Sequence, residues 1–429
     1  MKKITLLFLG LCLAAQVFAQ SENINLANQF LADFKAKKFE MLSSYFDASL
    51  ADKITVQLMQ QTHAAITAQF GELRTGDAEE TKSGQYQLVK MPVLNEPQNL
   101  VVQFIFNAAH KMLGFTMVPK PKASLYKDPA YANASLYVEE KITIASGDFK
   151  LPGILTKPKT GNNFPVVILV HGSGPGDRDA AVGNTKAFRD LALGLATKGI
   201  ATIRYDKRTR VYGPKSAPDG VALTIKEEVT DDVQAAVRLA QQLPGLNAKK
   251  IVVLGHSLGA MLAPKIAAEQ QGLAGIIMMS APARSFGPTI KDQFAYLIKD
   301  QEQLQKQLHL ADEITHADTV KDQHKLIMGI EASYFTNLNQ YNQVKVAKAL
   351  RLPILLLQGE RDYQVTLKDL AIWRTELGKN KNVTIKSYPK LNHLYTEGEG
   401  ALSTPAEYET PANVPLYVIE DIANWILKH

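Results

Sequence analysis

The chain has 429 residues, a formal net charge of +6 and a single cysteine. That length allows two domains with sizeable cores. No basic run carries interleaved aromatics, which argues against nucleic-acid binding, and no apolar run is long enough to cross a bilayer, which argues against stable membrane insertion.

In chain order, Lys2 and Lys3 form a basic start, Ile4 to Ala15 an apolar stretch, and Val17-Phe18-Ala19 a small-residue end. Residues 1–19 therefore read as a cleaved Sec signal peptide, with Gln20 opening a periplasmic or secreted chain. Cys12 falls inside that signal, so the mature chain is expected to be free of cysteine and disulfides. Residues 22–70 read as helices, with Ile24, Ala27, Leu31 and Phe34 on one face. Gln85 to Val93 and Leu100 to Phe106 read as strands turned near Pro92, Asn95 and Pro97. Together they predict a small α+β domain over 20–118. Pro119, Pro121 and Pro129 then mark a linker over 119–134.

From residue 135 the rhythm is strand, turn, helix. Tyr137 to Ala145 and Phe149 to Thr156 read as a hairpin, and Pro165 to Val170 as a buried strand. A helix near 185–198, a strand from Gly199 to Tyr205 and a helix from Thr224 to Leu243 follow. Further buried strands are Ile251 to Leu254, Ile276 to Met279, Ile354 to Leu357 and Val383 to Tyr388. Continuous apolar strands alternating with helices predict an α/β fold, a mainly parallel sheet of eight strands covered on both faces. Residues 284–350, rich in polar helix formers, are too long for a structureless loop and predict a helical cap insertion.

The chemistry centres on Gly255-His256-Ser257-Leu258-Gly259, between the fifth strand and a helix-like run. A G-x-S-x-G segment in that setting is a nucleophile elbow, whose tight turn leaves no room for side chains two residues either side of the serine. Ser257 is the expected nucleophile, and it needs a base held by an acid. Of nine histidines, only His393 lies in a loop just after a late strand. His309, His316 and His324 fall in the polar insertion, His429 is terminal, His63 and His110 belong to the first domain, and His171 and His256 precede the serine. The acid is Asp362 or Glu360 in the loop after the seventh strand. Asp362 is preferred because it lies deeper in the loop and Glu360 has Arg361 beside it.

The developing oxyanion needs two N–H donors. Leu258 supplies one from the elbow, and the loop His171-Gly172-Ser173-Gly174-Pro175-Gly176 should supply the other, from Ser173 or else Gly174. Asp177-Arg178-Asp179 and Arg204-Tyr205-Asp206-Lys207-Arg208 hold complementary charges that either cross-pair and pin this loop or form a solvated cluster. No H-E-x-x-H, mature cysteine or close His/Asp spacing suggests a metal, and no cofactor is expected.

With these parts in the order Ser, Asp, His, residues 135–429 resemble bacterial exported serine α/β-hydrolases of the cinnamoyl- and acyl-carboxylesterase type. Those enzymes carry H-G-S-G-P-x-D-R-D, which His171 to Asp179 match. The resemblance implies a helical cap, a Ser257–Asp362–His393 triad and a small-molecule ester substrate. Thr209 departs from it, since relatives tend to have glycine there. Residues 22–118 resemble the small α+β domain of unknown role that precedes such hydrolases, similar in layout to nuclear-transport-factor-2-like cones. Two other readings compete. A prolyl-oligopeptidase-like peptidase shares the triad order, although the first domain is too short for a propeller. A non-catalytic binding protein on a hydrolase scaffold would have no use for the triad. The acyl group, the leaving alcohol and the oligomeric state have no signature in these residues.

Overall fold

A computed structural model describes residues 21–50, 53–83, 86–94, 100–119 and 124–429. The proposed signal segment lies outside them. The chain divides into two compact units between Lys122 and Ala123.

In the first unit, helix α1 (Glu22–Lys35) opens on Ser21, whose hydroxyl accepts the Ile24 N–H at 3.2 Å. Thr55 caps α2 (Val56–Phe70) in the same way. A four-stranded antiparallel sheet runs in the order β1 (Glu79–Ser83), β2 (Tyr86–Pro92), β3 (Leu100–Phe106), β4 (Met112–Pro119). Phe30 and Phe34 of α1 pack on Phe104 and Phe115 of the sheet with ring centroids 5.0–5.9 Å apart. A largely apolar cavity of about 710 Å³ is lined by residues including Leu31, Met59, Val102, Phe115 and Met117. Among the described residues, no serine or histidine lines it. His63 packs on Phe34 and Phe39, and His110 bonds the Asn23 side chain at 2.9 Å.

The second unit is built on an eight-stranded sheet. Its strands are β5 (Tyr137–Ser146), β6 (Phe149–Pro158), β7 (Phe164–Val170), β8 (Ala201–Tyr205), β9 (Leu246–His256), β10 (Leu273–Met279), β11 (Ile354–Gly359) and β12 (Val383–Tyr388). They lie side by side as β5-β6-β8-β7-β9-β10-β11-β12, and β6 alone runs against its neighbours. Alternate residues serve opposite faces, as a pleated strand requires. Val166, Ile168 and Val170 share the core of one face with α4 (Asp231–Gln242), α5 (Leu258–Glu269) and α10 (Leu367–Leu377). Val167 and Leu169 meet α3 (Ala187–Thr197) and α11 (Leu416–Lys428). Burying each such side chain contributes about 1.5–3 kcal/mol, which explains why this central strand reads as an unbroken apolar run.

Residues 284–350 carry four helices, α6 (Phe286–Leu297), α7 (Gln301–Thr315), α8 (Ala332–Asn339) and α9 (Gln343–Ala349). Tyr334, Phe335 and Leu338 of α8 are buried in the core of one sheet face. Residues 124–134, within the proline-marked stretch, lie against the second unit. Tyr126 donates to Asp190 at 2.6 Å and Tyr131 to the Val414 carbonyl at 2.7 Å.

The chain order reverses direction across the sheet at β7. From β7 it moves out to β8, then returns to β9 on the other side. In open parallel sheets, ligands settle at the carboxyl ends of the strands flanking such a switch. Here those ends are Val170, which pairs with Gly255, and His256.

Candidate active site

Ser257 follows β9 with φ 54° and ψ −118°, a left-handed conformation that a side-chain-bearing residue adopts at a cost of about 1–3 kcal/mol. The turn demands the two glycines. A Cβ at position 255 would lie 2.1 Å from the Gly259 carbonyl oxygen, and one at 259 would lie 2.3 Å from the Val170 oxygen. The serine is held in place from both sides. Its N–H donates to the Met279 carbonyl at 3.0 Å, and its carbonyl accepts the Met261 N–H at 2.9 Å to begin α5. Leu258 is the first residue of α5, so its N–H is among those a helix leaves without an internal partner.

His393 and Asp362 meet. The His393 Nδ1–H donates to Asp362 Oδ2 at 2.7 Å, and both side chains are buried. That bond fixes the tautomer and leaves Nε2 as the basic nitrogen. The other carboxylate oxygen of Asp362 accepts the Gln364 and Val365 N–H groups at 2.8 and 2.9 Å. Glu360 points elsewhere and accepts the Ser387 hydroxyl at 2.6 Å. Arg361 is not its partner, because Arg361 pairs with Glu407 at 2.5 and 2.9 Å.

Several residues that the sequence analysis did not single out hold this pair. The ring of His256 donates from Nε2 to the His393 carbonyl at 2.8 Å, tying the residue before Ser257 to the His393 loop. Burial, and after it the neighbouring His393, pushes the His256 imidazole down to about 3, so it stays neutral. Tyr395 donates to the Leu357 carbonyl at 2.6 Å and accepts the Ser280 N–H at 3.0 Å. Gln358 donates to the Val365 carbonyl at 2.8 Å, and Asn392 accepts the Leu394 and Thr396 N–H groups. Gly359 was the available signal. A Cβ there would strike the Leu391 carbonyl at 2.4 Å, so a glycine ending this strand marks the contact between acid loop and base loop.

The loop after β7 lies against Ser257. A Cβ on Gly172 would come within 3.1 Å of the Ser257 Cβ. Ser173 and Gly174 follow, both exposed, with Gly174 at φ 84°. His171 donates from Nε2 to the Asp177 carbonyl at 2.9 Å. Burial, helped by the nearby Lys207 ammonium, holds its imidazole down at about 3, so it braces the loop as a neutral ring. The two charged segments cross-pair: Arg178 grips Asp206 at 2.5 and 3.0 Å, while Arg204 reaches Asp179 at 3.0 Å. Thr209 lies inside the helical turn Arg208–Tyr212, where the freedom of a glycine is not needed. Among the described residues, no cluster of three or more His, Cys, Asp or Glu could hold a metal ion.

Sheet order, elbow and the acid–histidine pair define a serine hydrolase of the α/β-hydrolase fold. Residues 162–399 match the family described as serine aminopeptidase, S33, and the chain belongs to that serine hydrolase family. Residues 27–115 match a family described as protein of unknown function, DUF3887. The chain is 33% identical to esterase EstD of Thermotoga maritima over 424 residues, 98% of this chain and 99% of that one. Among solved structures it is similar to Est1E from Butyrivibrio proteoclasticus, with 19% identity, a TM-score of 0.46, and coverage of 67% of this chain and 98% of that one. It is also similar to the Pyrococcus furiosus esterase Pf2001, with 19% identity, a TM-score of 0.44, and coverage of 73% and 98%.

Proposed function

We propose that this enzyme hydrolyses small carboxylic esters through an acyl-enzyme on Ser257. The buried His393–Asp362 bond of 2.7 Å, in the loops beside the strained serine, carries the reading. In this mechanism His393 Nε2 takes the Ser257 proton as Oγ attacks the ester carbonyl. The Leu258 and Ser173 N–H groups receive the oxyanion. His393 then protonates the departing alcohol and activates the water that releases the acid, with Asp362 orienting the ring throughout.

Full-length similarity to an esterase supports ester over peptide bonds. An aminopeptidase, the activity in the family's description, also needs an anion for the substrate ammonium. Three acids near these loops already have partners: Glu360 with Ser387, Glu407 with Arg361, Glu228 with Lys207. A panel of short-acyl nitrophenyl esters, feruloyl esters and aminoacyl or peptidyl amides tests the assignment. Esters should be turned over with kcat/KM at least about 10²-fold above any amide, a margin of roughly 3 kcal/mol in transition-state binding. Preferential amide cleavage would establish the peptidase instead.

The proposal also places the working enzyme outside the cytoplasm, supported by the basic and apolar start of the chain. A mature form beginning at Gln20 is its signature by mass, and an uncleaved chain in the cytoplasm would overturn it.

A further inference from the structure

Lys207 is an ammonium with 2% exposure, just beyond β8 and within one loop of the nucleophile. A charge so buried persists only when paired and hydrogen-bonded. Its Nζ donates to Glu228 Oε1 at 2.5 Å and to the Gly172 carbonyl at 2.9 Å. The second carboxylate oxygen of Glu228 accepts the buried hydroxyl of Tyr334, from α8 of the insertion. Glu228 itself sits in a π-helical turn, Lys226–Thr230, at the start of α4. The backbone N–H of Lys207 donates to the Gly176 carbonyl at 3.1 Å. One residue therefore holds the loop 172–176 at both ends.

The carbonyl of Gly172 and the N–H of Ser173 belong to one planar trans peptide, so they point in opposite directions. Fixing the carbonyl on the ammonium turns the N–H away from Lys207. Gly172 meanwhile lies against Ser257. Nothing intrinsic to this stretch would hold that orientation, because a glycine precedes the peptide and Gly174 follows at φ 84°. A flipped peptide would offer the oxyanion a carbonyl oxygen in place of a donor.

We infer that Lys207 is a positioning residue for the oxyanion site. Held by Glu228 and Tyr334, it orients the Gly172–Ser173 peptide so that the Ser173 N–H faces the developing oxyanion. This rests on the acyl-transfer reading of Ser257. It also selects Ser173 over Gly174 as the second donor and makes the insertion, through Tyr334, part of the support for catalysis.

Lys207→Met alone would strand the buried Glu228 carboxylate, so the test pairs it with Glu228→Gln, which removes both charges. In the full-length enzyme the double variant should keep its melting temperature within a few degrees and lose about 10²–10³ in kcat, the loss measured for one oxyanion donor. KM should move less than about threefold. Affinity for an aryl trifluoromethyl ketone, which forms a tetrahedral oxyanion adduct on the serine, should fall in parallel with kcat. Lys207→Arg keeps a cationic donor and should recover part of the loss, and Tyr334→Phe should give a smaller kcat loss of the same kind if the double variant does not fold. A folded double variant with near-wild-type kcat and inhibitor affinity would overturn the inference. So would a Tyr334→Phe enzyme in which only KM or stability changes. Failure of the underlying reading looks different: wild type would turn over no ester, or Ser257→Ala would match it. If the wild type cleaves amides instead, the ketone affinities still decide the role of Lys207; if Ser257 is inert, the ketone forms no adduct on it and the inference falls with that reading.

Discussion

Asp362 and Glu360 lie two positions apart in one loop, and only Asp362 reaches His393. Asp362→Asn keeps the shape of the side chain but stabilises the wrong imidazole tautomer. It should slow ester hydrolysis by about 10⁴ in kcat with little change in KM. Glu360→Gln should stay within a few-fold of wild type, and steady-state kinetics on both variants would expose a reversed assignment. Depth in the loop was enough to favour Asp362 from sequence. Arg361, adjacent to Glu360 in the chain, turns instead to Glu407, 46 residues further on. Such partners are invisible in sequence. Gln358, Lys207 and His256 act through carbonyls 7, 35 and 137 residues away, and no local pattern encodes a distant carbonyl. The serine, its base and its glycines were legible because their constraints are local: a strand end, a tight turn and a loop position.

Strands and helices were readable where burial is continuous. All eight strands of the main sheet were anticipated, but β9 begins at Leu246, ahead of the apolar run at Ile251. Its first residues include exposed Lys249 and half-buried Lys250, so hydrophobicity alone could not reveal them. Likewise β1, with sequence EETKS, has no apolar alternation and exists because β2 pairs with it. Helix α11 escaped notice although Val418, Ile419, Ile422 and Ile426 fall at helical spacing on the core.

The strand ends also carry a cost. His171 after β7 and His256 at the end of β9 titrate near 3 in the fold and near 6.5 when unfolded. Between those values the unfolded chain binds more protons, so stability falls as pH drops below about 6.5. Each histidine should remove about 2 kcal/mol between pH 7 and pH 5. Urea unfolding of the second unit at both pH values should show this, and His256→Gln, which retains a donor for the His393 carbonyl, should have a shallower dependence. An identical slope in wild type and variant would mean that the buried ring does not govern the acid limb.

At the scale of the molecule, the sequence reading of a small α+β domain followed by an eight-stranded hydrolase agrees with the two units observed and with a relative that spans both. The first unit was understated, since two of its four strands went unread. Its apolar cavity comes from residues 86 positions apart along the chain, Leu31 to Met117, and no local motif announces such an enclosure. In the second unit, the reversal of chain direction across the sheet at β7 sets the loop that follows it beside Ser257, so this proximity follows from topology as much as from motif.

The proposed mechanism makes Ser257 Oγ the atom that accepts the acyl group. Full-length enzyme mixed with a slowly deacylating nitrophenyl ester, quenched in acid and mapped by peptide mass spectrometry, addresses this directly. The account predicts one acyl mass increment per chain, confined to the peptide bearing Ser257 and absent from Ser257→Ala, with release of nitrophenol lost alongside it. An increment on another residue, or undiminished nitrophenol release by Ser257→Ala, would contradict it.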